Sequence, residues 1–84
     1  MSERYTLYHY PSCPYCALVR RFLDDAGIDI ELRNIHADPQ ALHDLRTGGG
    51  STMVPCLRIR RDGQDEWMYE SLDIIAYLRS KRVA

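Results

Sequence analysis

From Tyr5 to His9 the chain alternates, Tyr-Thr-Leu-Tyr-His, in residue types suited to a pleated strand, and it stops at Tyr10-Pro11-Ser12, which reads as a turn. From Pro14 to Ala26 the period changes. Leu18, Val19, Phe22, Leu23 and Ala26 recur at helical spacing, Pro14 suits the first helical position, and Gly27 suits the position after the last. Ile28-Asp29-Ile30-Glu31-Leu32 alternates strictly and predicts a second strand. Asp38-Pro39 is a cap followed by a first-turn proline, opening a short helix through Leu42 and Leu45; the glycines at 48, 49 and 50 end it and read as a flexible loop. Val54 to Ile59 and Glu66 to Tyr69 are strand-like runs around Asp62-Gly63, a hairpin signal. Ser71 then caps a last helix predicted to bury Leu72, Ile75, Ala76 and Leu78, with Asp73 in the first turn where the helix dipole favours an anion. The order is β-α-β-α-β-β-α. It implies an α/β fold in which two strands joined through a helix are parallel and a terminal hairpin completes a mixed four-stranded sheet flanked by helices.

Composition changes little in that picture but narrows the function. The 84 residues suffice for one hydrophobic core, so residues 1–84 are expected to be a single domain. The net charge is −1, and basic residues cluster no further than pairs such as Arg20-Arg21 and Arg60-Arg61, so nucleic acid is not an expected partner. The N-terminus lacks the apolar core of a secretory signal, and no apolar run approaches the roughly 20 residues of a membrane span; a cytoplasmic protein with no membrane partner is expected. Three cysteines, two of them in Cys-x-x-Cys, then point to redox or metal chemistry rather than a disulfide framework.

Cys13-Pro14-Tyr15-Cys16 falls where the first strand hands over to the first helix. Cys13 therefore takes the cap position, where unpaired backbone N–H groups and the helix dipole favour a thiolate. Cys16 lies one turn along the same face, within reach to close a disulfide and directed toward burial. Two other readings stand beside the redox one. The pair can be half of a zinc site completed from Cys56, His9, His36 or His43, although none of these forms a second paired motif. It can also be two packed structural cysteines.

At these residues the chain resembles the glutaredoxins, whose dithiol members carry the same Cys-Pro-Tyr-Cys turn, and the element order is that of the thioredoxin-like fold. A second point of resemblance is Met53-Val54-Pro55, similar to the stretch ending in a cis-proline across the thioredoxin superfamily. A third is Tyr69-Glu70-Ser71, which resembles the Glu-Ser motif of glutathione-transferase N-terminal domains. The resemblance spans nearly the whole chain and is strongest to glutaredoxins built like such a domain. It implies a glutathione-dependent thiol–disulfide oxidoreductase acting on glutathionylated or disulfide-bonded proteins, with Cys13 attacking and Cys16 resolving. Glutathione is the implied co-substrate, held by Tyr15, Met53, Val54, Pro55, Glu70 and Ser71; no metal is implied, and a monomer is expected. A glutathione-binding or partner-docking module with little turnover, and an iron–sulfur cluster carrier, are the alternatives; Pro14 weighs against the second.

The sequence departs from the glutaredoxin pattern at Tyr10, where many members carry a lysine for a glutathione carboxylate; Arg46 is a candidate replacement. Cys56 reads as a packed core thiol and Trp67 as a packing residue. His9 reads as structural, because a preformed thiolate needs no general base.

Overall fold

Alternation in β1 (Arg4–His9) sends Leu7 to one face of the sheet and Tyr8 to the other, and both are fully buried, so helices must cover both faces. The computed structural model describes residues 3–82. After β1 come α1 (Pro14–Ala26), β2 (Glu31–Asn34), α2 (Pro39–Asp44), a π-helical turn (Leu45–Gly49), β3 (Cys56–Arg61), β4 (Gln64–Tyr69) and α3 (Ser71–Arg82). The sheet order is β2-β1-β3-β4, with β1 and β2 parallel and the other two pairs antiparallel. This is the mixed four-stranded α/β arrangement the pattern implies.

On one face α1 and α3 bury Val19, Leu23, Ile74 and Leu78 against Leu7, Leu57 and Ile59. On the other, α2 and the π-helical turn bury Ala41 and Leu45 against Tyr8, Ile35 and Cys56, with Trp67 and Tyr69 packed alongside. The boundaries of α1 follow local chemistry: Pro14 occupies its first turn, and Gly27 ends it in the left-handed region at φ 69°. Asp38 caps α2, its carboxylate accepting from the backbone N–H groups of Gln40 at 3.0 Å and Ala41 at 3.3 Å. Asp62 and Gly63 both have positive φ, as the two-residue turn between β3 and β4 requires.

Several expectations are corrected. Ile28 and Ile30 do not pair in a strand. The left-handed residue Gly27 turns the chain so abruptly that Ile28 donates its N–H back to the Leu23 carbonyl, and the two isoleucines reach the core from an irregular segment before β2 begins at Glu31. The third strand begins at Cys56 rather than Val54, and the fourth at Gln64 rather than Glu66. The triple glycine is not a free loop: Gly48 and Gly49 complete the π-helical turn and lie against Trp67 and Tyr69, so closely that a Cβ on either would collide with those rings. In α3 the Glu70 carbonyl accepts from the Ile74 N–H at 3.0 Å, so Glu70 rather than Ser71 stands at the cap. Ser71, Ile74 and Leu78 then form the inward stripe, while Leu72 and Ala76 face solvent and Ile75 is half-buried.

Candidate active site

Tyr8, near the end of β1, pairs with Arg33 on β2 and with Cys56 on β3, and Cys56 in turn pairs with Tyr69 on β4. One cross-strand row therefore joins all four strands. The chain leaves the sheet just beyond that row at four places: Tyr10 to Cys13 after β1, Ile35 and His36 after β2, Val54 and Pro55 before β3, and Glu70 and Ser71 after β4. In an open α/β sheet, the edge beyond the carboxyl ends of the parallel strands is where ligands bind.

Cys13 caps α1 with extended backbone (φ −80°, ψ 117°), and its Sγ accepts the Cys16 backbone N–H at 3.2 Å. The sulfur thereby satisfies one of the orphan donors at a helix terminus that favours negative charge. Cys16 is fully buried; that burial, with a hydrogen bond to the Cys13 thiol, pushes its pKa up to about 12. The two thiols are free and both are buried, Cys13 with 4% of its surface exposed at the helix end and Cys16 fully enclosed beneath it. Cys56 is fully buried in the opposite core layer, and burial pushes it up to about 11, as a packed core thiol requires.

The turn before Cys13 is held by Arg20, a residue the motifs did not single out. Its guanidinium, two helical turns beyond Cys13, lies 3.1 Å from His9 Nδ1 and donates to the carbonyls of Tyr10 (3.5 Å) and Pro11 (3.3 Å). Burial, and then the Arg20 charge, lower the His9 pKa. Since Arg20 can only donate, Nδ1 is the acceptor and the His9 proton sits on Nε2. The one signal in the sequence was the seven-residue spacing, which returns Arg20 to the Cys13 side of α1.

Beside this turn is a groove of about 600 Å³, and Tyr15, Met53, Val54, Pro55, Glu70 and Ser71 all line it. Three separate segments thus meet on one concave surface. Tyr15 and Met53 are each 63% exposed and form its rim, together with Leu18 and Leu72, which helical patterning alone would bury. The Val54–Pro55 peptide is cis. Glu70 has φ 76°, the left-handed region, a conformation costing a residue with a Cβ on the order of 1 kcal/mol, tolerated where surrounding structure fixes it. It turns the chain from β4 into α3, whose first N–H groups and the Ser71 hydroxyl lie at the groove. Among the described residues the groove has two carboxylates, Glu70 and Asp73, and no cationic side chain; Arg46, in the π-helical turn, is not one of its walls.

A second concavity, of about 540 Å³, lies at the opposite ends of the strands. Three of its guanidiniums are already engaged, Arg33 by Asp38 and Asp44, and Arg58 and Arg60 by Asp65, and none of its walls carries a thiol. Cys13 and Cys16 flank Tyr15, a wall of the first groove, without lining it themselves. Among the described residues no helix is long and apolar enough to cross a membrane, and no three His, Cys, Asp or Glu side chains converge as a metal site.

Residues 7–84 match the family described as glutathione S-transferase, N-terminal domain. A glutaredoxin from Neisseria meningitidis serogroup B is 37% identical over 51 residues, which are 60% of this chain and 60% of that protein. Among solved structures, maleylacetoacetate isomerase from Anaeromyxobacter dehalogenans with bound GSH superposes on 95% of the chain and 38% of its own length, at TM-score 0.72 and 24% identity. The solution structure of a glutaredoxin from Brucella melitensis covers 93% of this chain and 79% of its own, at TM-score 0.57 and 19% identity.

Proposed function

Since the chain belongs to the family of glutathione S-transferase N-terminal domains, we propose that it is a glutathione-dependent thiol–disulfide oxidoreductase of the glutaredoxin type. The observation that carries this reading is the juxtaposition of a thiol at the cap of α1 with a groove walled by Tyr15, Met53, Val54, Pro55, Glu70 and Ser71. The glutaredoxin relatives support the redox chemistry, and the isomerase with bound GSH supports glutathione as the ligand.

In this reading the Cys13 thiolate attacks the glutathionyl sulfur of a protein–glutathione disulfide. A Cys13–glutathione disulfide forms, the original S–S bond breaks, and the target leaves as a thiolate that takes a proton from water. The γ-glutamyl carboxylate meets the N-terminus of α3 and the Ser71 hydroxyl, its ammonium meets Glu70, and the cysteinyl backbone runs along Val54. A second glutathione thiolate then attacks the bound glutathionyl sulfur, releasing glutathione disulfide and the Cys13 thiolate. Alternatively Cys16, held protonated until that point, loses its proton, attacks the Cys13 sulfur and expels glutathione, leaving a Cys13–Cys16 disulfide for a further two thiols to reduce. The protein partners are glutathionylated or disulfide-bonded proteins.

The test is turnover of a glutathionylated peptide with glutathione as reductant. Cys13→Ser abolishes it; Cys16→Ser keeps most of it and loses reduction of intramolecular protein disulfides. Full activity in Cys13→Ser refutes the mechanism. Tight glutathione binding without turnover in the unmodified protein replaces it with a glutathione-holding module.

A further inference from the structure

Glutathione carries two carboxylates and one ammonium, whereas the groove itself contributes two carboxylates, Glu70 and Asp73, and no cation among the described residues. The end of α3 accounts for one ligand carboxylate and Glu70 for the ammonium. The glycine carboxylate has no partner inside the groove. Its partner must lie where the extended tripeptide leads.

The strand ends give that direction. From β4 through β3 to β1 and β2, the successive exits from the sheet are Glu70–Ser71, Val54–Pro55, Tyr10–Cys13 and Ile35–His36. Neighbouring strands lie about 4.8 Å apart, so these exits extend over roughly 14 Å, comparable to an extended tripeptide of three residues at about 3.3–3.6 Å each with a longer γ-linkage. With the γ-glutamyl group at the β4 exit and the cysteinyl group at β3, facing Cys13, the glycine end points toward β1 and β2. There the Tyr10 and His36 rings stack, centroids 4.1 Å apart and planes within 13° of each other. The Tyr10 carbonyl accepts the Cys13 N–H at 3.2 Å, so the stack is tied to the catalytic turn. His36 is exposed, and its own backbone N–H is anchored by the Asn34 side chain at 2.9 Å.

We propose that His36, held against Tyr10, binds the glycine carboxylate of glutathione through a ring N–H. Tyr10 then serves as a platform that fixes the donor in place: stacking leaves the imidazole edge, with its nitrogens, free to donate. This assignment rests on the groove being the glutathione site, and the experiment separates the two.

Turnover of a peptide glutathionylated with glutathione is compared with that of the same peptide carrying the glutathione glycine ethyl ester, in which an ethyl group caps the carboxylate and removes its charge. A hydrogen bond to a charged carboxylate corresponds to roughly tenfold or more. The unmodified protein prefers the acid by about that factor in kcat/KM. His36→Ala lowers the rate with the acid about tenfold, leaves the ester unchanged and so erases the preference; His36→Lys restores it. Tyr10→Leu, which removes the platform but not the donor, reduces the preference without erasing the ester rate. Equal use of acid and ester by the unmodified protein overturns the assignment, as does a preference that survives in His36→Ala but is lost in Arg46→Ala. No turnover of either peptide overturns the glutathione reading itself, and the assignment with it.

Discussion

The sharpest consequence of the site's geometry is a selectivity among its three thiols. The nucleophile in alkylation is the thiolate, so reactivity at fixed pH follows the ionised fraction. With its pKa pushed up to about 12, Cys16 is ionised at pH 7 to roughly 1 part in 10⁵. Cys56, pushed up to about 11, is ionised to roughly 1 part in 10⁴. An ordinary free cysteine is a few per cent ionised, so Cys16 and Cys56 lag it by roughly 10²- to 10³-fold before steric protection is counted. Cys13 retains a sliver of exposure at the head of α1, where its sulfur accepts the Cys16 backbone N–H, and it is the one sulfur at a helix terminus. Brief treatment of the folded, reduced protein with iodoacetamide at pH 7, followed by mass spectrometry of the intact chain and its peptides, therefore gives a single adduct at Cys13. Denaturation in guanidinium releases all three sites, and Cys13→Ser leaves the folded protein unlabelled over the same interval. Labelling of Cys16 or Cys56 in the folded state as fast as Cys13 would refute the assignment of attacking and resolving roles, because that assignment depends on the difference in their surroundings.

Two further predictions concern what holds the site. Gly48→Ala puts a methyl group into the Trp67 ring, which is clamped between Tyr8 (centroids 5.6 Å apart) and the Arg58 guanidinium at 4.9 Å and has little room to yield; overpacking of this kind costs about 1–3 kcal/mol. Urea unfolding is expected to show that loss as a lower midpoint at unchanged slope, and a midpoint within error of the parent rejects the packing argument. His9 has a depressed pKa in the folded state, so the unfolded chain binds the extra proton. Its contribution to stability is complete above the unfolded value of about 6.5 and is lost as pH falls through the lower folded value. Stability measured from pH 7.5 down to 5.5, above the range where exposed carboxylates titrate, is expected to fall in the parent and to be flatter in His9→Gln; equal slopes would contradict it.

What could be read from the sequence divides along the range of the forces involved. The bounds of α1 follow from Pro14 and Gly27, and the α2 cap from Asp38, because each choice is settled within one turn of chain. The three segments that meet at the groove carried recognisable local patterns. The errors arose where distant contacts decide. Ile28 and Ile30 alternate as a strand does, yet they reach the core without pairing, because the Gly27 turn carries them past the sheet before β2 begins. Gly48 and Gly49 look like slack in the sequence, and only the Trp67 and Tyr69 rings reveal that the absence of side chains there is a packing requirement. Leu18 and Leu72 sit in helical patterns that suggest burial, but they are left at the rim of the groove. Arg20 could not be singled out, since its partners are two backbone carbonyls and a histidine that the sequence alone does not place.

The cross-strand row of Arg33, Tyr8, Cys56 and Tyr69 bears on motion as well as architecture. Each strand contributes to it, and its central residues, Tyr8 and Cys56, are fully buried beneath the groove. Amides hydrogen-bonded within central strands such as β1 and β3 exchange with solvent only when the strands separate, so the centre of the sheet is expected to open more slowly than the loops around the thiols. In the proposed function, freedom to adapt to differently shaped targets then falls to the exposed rim side chains, above all Tyr15, Met53 and Leu72, while the cysteine pair rests beside the firmer centre of the sheet.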